Sequence, residues 1–537
     1  MIKTDITLGI GYTSLDIKEA IAERLPISVS EIGEVMLTRR TLNVSDASHP
    51  SYKCTVAFCA SPEKEMGLLK IRNKVSEYSI SDYELLPIPV KAELRPVVVG
   101  AGPAGLFAAL YLAECGARPI VLERGLSADE RIRRVALFNT LGILDTECNV
   151  QFGEGGAGTF SDGKLKVGSM DRYKFKVLTE FIRSGACEEI AFSSSAHLGT
   201  DKLPLIVADL RERVKSLGGE FIFGARFTEL ITTVSGDEKR VTGVKYIKDG
   251  KEYRLDTNAV ILAIGHSARD TIRMLYSNGI PMEARGFGIG MRIEHPREYV
   301  NKIVYREASS LIEETASYHL VTHLPSGRSV YSFCMCPGGT VVAATSSEGK
   351  IVTNGMSESA RVGENSNSAL LVSVTPKDFM TEGALGGIAL QESIEGRTYE
   401  MTGSYVAPVT TVGALLSGDK ITITDTKPTY PIGTEPKDPK EYLPEFIVDS
   451  IREGLVDFDK WLPGFRLDSA TLTGSETRTT SPVRILRGED GVCPTLKGLY
   501  PTGEGAGYAG GIVSSAVDGL RMAEKLVLSY GKAIKTQ

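Results

Sequence analysis

Eight cysteines in 537 residues are too few for a disulfide scaffold, and none forms a Cys-x-x-Cys pair. No cysteine–histidine cluster has structural-zinc spacing, so no metal is expected. Reduced thiols and a cytoplasmic location are the expectation. Charge of one sign is not in excess either. Lys and Arg number 61 against 67 Asp and Glu, a formal net charge of −6. That balance argues against nucleic acid as a partner, since a basic stripe is missing. The opening residues Met1-Ile2-Lys3-Thr4-Asp5 lack a basic stretch followed by an apolar one, so no signal peptide is expected. One uncharged run, Val97 to Ala113, is interrupted by Gly100, Gly102, Pro103 and Gly105, which break the continuous helix a bilayer demands. It reads as strand, turn and helix, and no membrane partner is expected.

Glycine, in contrast, is abundant: 56 residues, above the usual share of about 7%. Much of it lies in three stretches. Gly100-Ala101-Gly102-Pro103-Ala104-Gly105 matches G-x-G-x-x-G after an apolar strand and before a helix. Gly100 permits a tight turn, Gly102 a close approach to a pyrophosphate, and Gly105 close packing of helix on strand. Glu123 ends the next strand, where a carboxylate binds ribose hydroxyls and repels a 2′-phosphate. The second stretch runs from Phe152 to Leu165 and holds Gly155, Gly156, Ala157, Gly158, Ser161 and Gly163. Ordering so many glycines costs entropy, which favours cofactor contact over an idle loop. The third, Thr502 to Ile512, again lies between strand and helix. A second helix N-terminus fits a large ligand such as FAD better than NAD. Glu504 is a candidate acceptor for ribityl hydroxyls, and the Ile512 and Val513 N–H groups are candidate donors to the flavin pyrimidine edge.

At about 100–200 residues per domain the length allows three or four domains. Residues 1–92 follow a β-α-β-β-α-β order, with strands near 6–10, 36–42, 52–59 and 77–84 and helices over 16–25 and 62–73. That is the order of a ferredoxin-like split βαβ unit. Pro87, Pro89 and Pro96 mark a stiff boundary. Residues 96–284 and 486–537 read as two parts of one Rossmann-like FAD-binding domain, a three-layer α/β fold on a parallel sheet. Residues 285–485 read as an inserted α+β substrate domain with helices near 388–397 and 442–456.

The glycine fingerprint, Ala263-Ile264-Gly265 at a strand end and Gly503-Glu504 resemble the three FAD motifs of glutathione-reductase-type flavoproteins. Phe152–Leu165, Thr477–Ile485 and Gly503–Ile512 together resemble the bacterial family of uncharacterised FAD-dependent dehydrogenases. The resemblance covers about 96–537. It implies one FAD per chain, with Gly100, Gly102, Ala104, Gly105, Glu123 and Arg124 around the ADP half and Phe227 near adenine. It places Gly503, Glu504, Gly511 and Ile512 at ribityl and flavin. It supplies no substrate. Two features of the disulfide-reductase branch are missing: a Cys-x-x-x-x-Cys pair, and a second strand–glycine–helix motif for NAD(P)H. Gly383 to Gly387 does not follow a convincing strand, so NAD(P)H is expected only as a transient electron donor.

Candidates for chemistry are fewer. Cys334 and Cys336 stand two apart in an expected strand; either two small buried residues or a redox thiol, Cys336, fits. His266 and Lys164 are further catalytic candidates, and Arg292 and Arg478 are candidates for holding an anionic substrate. The expected function is hydride transfer between FAD and a small organic substrate. The second reading is a flavin-binding electron carrier whose N-terminal unit docks a protein partner.

Overall fold

The computed structural model describes residues 1–71, 73–79, 83–161, 170–193 and 197–535. Its centre is a five-stranded parallel sheet of short strands. In order across the sheet they are Leu499–Pro501, Val260–Leu262, Val97–Val99, Ile120–Leu122 and Glu220–Ile222. Alternation along each strand assigns its residues to two cores. Val98, Val121 and Ile261 face a helical layer. Val97, Val99, Ile120, Leu122, Val260 and Leu262 face a three-stranded antiparallel meander, Arg226–Ser235, Glu238–Lys248 and Lys251–Asp256. The result is three layers.

The helix Pro103–Glu114 starts with Pro at its first turn, where no N–H is needed. Every residue from Ala104 to Ala113 is buried, so it is apolar all round and lies inside the helical layer. The long helix Ile512–Lys535 and the helix Leu203–Ser216 share its core through Val513, Leu520, Ile206 and Leu210. Thus the first and last elements of this unit, some 400 residues apart in sequence, pack together.

The chain leaves the unit along Met282–Ala284 and returns along Val483–Ile485, which pair antiparallel. Between them lies a seven-stranded sheet with Phe287–Pro296 at its centre, flanked by Asn365–Val374 and Thr471–Glu476. The helix Gly386–Glu400 is preceded by a 3₁₀ turn, not a strand. The second expected helix runs Glu445–Trp461, later than its expected start at 442. Pro444 disfavours the helical conformation of its predecessor, which sets the boundary.

Residues 1–77 hold a four-stranded antiparallel sheet in the order Val35–Asn43, Ser51–Phe58, Ile2–Gly9, Ser76–Glu77, with helices Ser14–Arg24 and Pro62–Leu69. The last strand is described at Ser76–Glu77; of the strand expected at 77–84, residues 80–82 lie outside the described residues. The edge strand docks on the rest of the chain. Arg40 N–H donates to Phe192 O at 2.7 Å, and its guanidinium bonds Glu189 at 2.5 Å and lies over the Tyr52 ring at 4.8 Å. Among the described residues no helix is long and apolar enough to cross a membrane.

Candidate functional site

The three glycine stretches meet. A Cβ on Gly102 would lie 3.7 Å from Gly156 Cα, one on Gly158 2.7 Å from Ile512 Cγ1, and one on Gly503 2.7 Å from Ala104 Cβ. Gly155 N–H donates to Ala101 O at 2.8 Å. Around this junction lies a cavity of about 560 Å³. Its wall holds Gly100, Gly102, Pro103, Ala104, Glu123 and Arg124, and with them Gly156, Ala157, Gly158, Ala263, Gly265 and Phe227. Glu504, Gly511, Ile512 and residues of the insertion line it as well. Two helix N-termini, at Pro103 and Ile512, open onto it.

Gly105 does not line the cavity. A Cβ there would lie 1.9 Å from Gly100 O, so its hydrogen lets the helix sit on its own incoming turn. Gly155 and Gly503 are also off the wall. Gly163 and Lys164 lie outside the described residues, and Ser161 ends a short helix, Gly158–Ser161.

Buried charges shape these loops. Glu123 accepts from Ala101 N–H at 2.8 Å, Gly125 N–H at 2.9 Å and Gly153 N–H at 3.0 Å. It therefore ties the first stretch to the second, and three of its roughly four acceptor sites are used. Arg131, wholly buried, donates to five backbone carbonyls, those of Asn149, Val150, Gly153, Glu154 and Gly156. Burial lowers its pKa to about 10, which leaves it charged at neutral pH. Asp518 accepts from Gly503 N–H at 2.7 Å and is gripped by Arg487 at 2.6 and 2.8 Å. Arg124 lies 4.1 Å over the Phe152 ring and pairs with Glu147 and Asp270 at 3.0 Å each. Arg131, Asp518 and Arg487 carried no motif signal; each acts on residues distant in sequence.

The insertion contributes Tyr318, Phe333, Cys334, Met335, Glu476 and Arg478 to the wall. Arg292, expected at the substrate, is instead wholly buried behind this wall. It bonds Glu476 at 3.1 Å, Asn367 at 2.8 Å and Cys334 O at 2.8 Å. An arginine in the middle of a central strand must be neutralised internally. Cys336 is likewise buried, its Sγ 3.3 Å from Arg292 Nη2. Cys334 lines the cavity in its place. The strand bulges between Phe333 and Cys336, and Cys334 has φ of +47°, so simple alternation fails there.

Arg478 does reach the wall. It bonds Glu395 at 2.8 and 3.0 Å, Ser267 Oγ at 3.2 Å and Ser346 Oγ at 2.5 Å. Arg269 grips the same carboxylate at 2.7 and 2.8 Å. Burial opposes ionisation of Glu395, but the two guanidiniums override it and hold the carboxyl far below its usual range. His266, on the same wall, contacts Ser267 Oγ at 2.9 Å. Burial, then Arg478 and Arg269, push its pKa down to about 3, so it is neutral at neutral pH. Glu504 moves the other way, up to about 7, by burial.

Residues 286–479 match the model of a family described as FAD-dependent protein, C-terminal domain-like. A protein of Clostridium beijerinckii, described as uncharacterized, is 42% identical over 521 residues, 96% of each chain. Looser likeness extends to solved structures. A flavoprotein/dehydrogenase from Cytophaga hutchinsonii overlaps 83% of this chain and 79% of its own at 12% identity and a TM-score of 0.36. The glycerol-3-phosphate dehydrogenase from Bacillus halodurans complexed with FAD overlaps 83% and 66% at 10% identity and 0.31. Overlap this loose identifies neither a reaction nor a ligand.

Proposed function

The chain belongs to the family of the Clostridium beijerinckii protein, and on that footing we propose that it is an FAD-dependent oxidoreductase acting on a small organic substrate. The observation that carries the reading is the meeting of three glycine stretches and two helix N-termini around one cavity. Bare backbone and helix dipoles suit a diphosphate, and two helix N-termini on one cavity suit a dinucleotide. The residues fit the group. Gly100, Gly102 and Ala104 would hold the diphosphate, and the remaining acceptor site of Glu123 a ribose hydroxyl. Phe227 would border adenine, and Glu504, Gly511 and Ile512 the ribityl chain and ring. When bound, the flavin supplies hydride transfer, with NAD(P)H as a transient electron donor.

The protein's own share is orientation, charge and exclusion of water. His266, held neutral, offers a hydrogen bond without adding charge. Glu504, with a pKa near 7, holds a proton on its carboxyl below neutrality and releases it above. The insertion wall closes the cavity over the substrate side, where Cys334, Phe333 and Met335 face it.

Purified protein should be yellow and release flavin absorbance on denaturation. Colourless protein that takes up no FAD overturns the reading. Anaerobic mixing with NADH and with NADPH, followed at the flavin band, identifies the donor.

A further inference from the structure

We infer that the cavity takes an organic monoanion, a carboxylate on an apolar body, with its charge against the wall formed by Arg478 and Ser267. The inference deepens the oxidoreductase reading and rests on it for the reaction, but not for binding.

The cluster behind that wall is unbalanced. Arg269 and Arg478 share the one buried carboxylate of Glu395, while Glu392, 3.8 Å from Arg269, is gripped by Arg273, whose side chain is 45% exposed and solvated. Among the described residues no other carboxylate lies within ion-pair distance of these arginines. Arg269 and Arg478 are each only 4% exposed. An uncompensated buried charge is costly, and a counter-charge in the adjoining cavity removes that cost. Burial first, and then the same two arginines, depress the pKa of His266.

Geometry agrees with charge. Arg478 uses Nε, both N–H groups of Nη1 and one of Nη2 on Glu395, Ser267 and Ser346. One N–H of its five is left over, on a residue that lines the cavity. The other acidic groups of the wall do not fill the role. Glu476 is held by Arg292. The shift of Glu504 comes from burial, with no pull from Arg478 or Arg269. The apolar body follows from the neighbours. Arg292 bonds both Glu476 and Cys334 O, which places Phe333, Cys334 and Met335 beside the segment bearing Arg478.

The test is calorimetric titration of the purified full chain with benzoate and with benzamide, near-isosteres that differ in charge. Benzoate should bind at least tenfold more tightly. Arg478→Gln should bring that ratio close to one. Because a buried arginine variant is prone to misfold, Arg273→Gln serves as a second variant; it sits at the exposed end of the cluster and should lower the ratio two- to threefold, more at low salt. Equal binding of the two probes by the native chain overturns the inference, as does an unchanged ratio in both variants. Colour is scored separately. A colourless chain that still prefers benzoate sinks the flavin reading and keeps this one; a yellow chain indifferent to benzoate does the reverse.

Discussion

At the scale of single residues, the cavity is built by charges that never needed to touch a ligand. Arg131 serves five carbonyls of one loop. Replacing it with methionine leaves buried acceptors unpaired, at about 1–3 kcal/mol apiece before relaxation. Arg131→Met should therefore lose most bound flavin and shift urea unfolding to a clearly lower midpoint. A variant that keeps full flavin content would show that the loop orders without it. Glu504 and His266 give opposed pH effects. With a folded pKa of about 7 against 4.5 unfolded, Glu504 makes the native state bind more protons, so its contribution to stability falls from pH 4.5 to 7. His266, about 3 folded against 6.5 unfolded, makes the native state bind fewer, so its contribution rises from pH 3 to 6.5. Between 4.5 and 6.5 the two nearly cancel. Glu504→Gln should leave a Tm that climbs with pH in this window, and His266→Asn one that descends. Parallel Tm–pH curves for the two variants would contradict the assignment.

At the scale of elements, the helix Pro103–Glu114 is where sequence pattern and packing agree most closely. The apolar strand, the glycine turn and the Pro-led helix are all visible in the chain, because each is a local choice of backbone conformation. The close contact of Gly105 with Gly100 O accounts for the last glycine of the motif. Gly105→Ala should push the helix from the strand, with loss of flavin retention and a lowered Tm measured on the same preparation. Elsewhere local pattern misleads. Alternation puts residues i and i+2 of a strand on one face, and a bulge with a left-handed residue instead separates Cys334 from Cys336. Arg292 looks like a surface or substrate arginine; its strand is central in a seven-stranded sheet, so it is buried and paired.

At the scale of the whole molecule, the N-terminal sheet is pinned to two other parts through two neighbouring strands. Arg40 bonds Glu189 and lies 3.8 Å from Glu314, and Tyr52 OH donates to Glu314 at 2.6 Å. Arg40→Met removes both pairs and should expose the connection between this sheet and Pro96. Limited proteolysis should then cut there faster, while flavin content stays unchanged because the cavity lies elsewhere. Equal cutting rates would mean that the apolar contacts alone hold the sheet in place.

Read residue by residue, the chain announces its backbone requirements: where glycine is needed, where a strand must be apolar on both faces, where proline starts or stops a helix. These are short-range constraints, and they carry the parallel sheet, the glycine turns and the order of elements. Which glycines face the cavity, which arginine stays buried, and which carboxylate clasps which loop depend on contacts between segments tens to hundreds of residues apart. Glu123 and Gly153 are 30 apart, Arg269 and Glu395 are 126 apart, and Arg292 and Glu476 are 184 apart. Burial and pairing at such range set the charge of the wall, and only the folded chain brings those groups together.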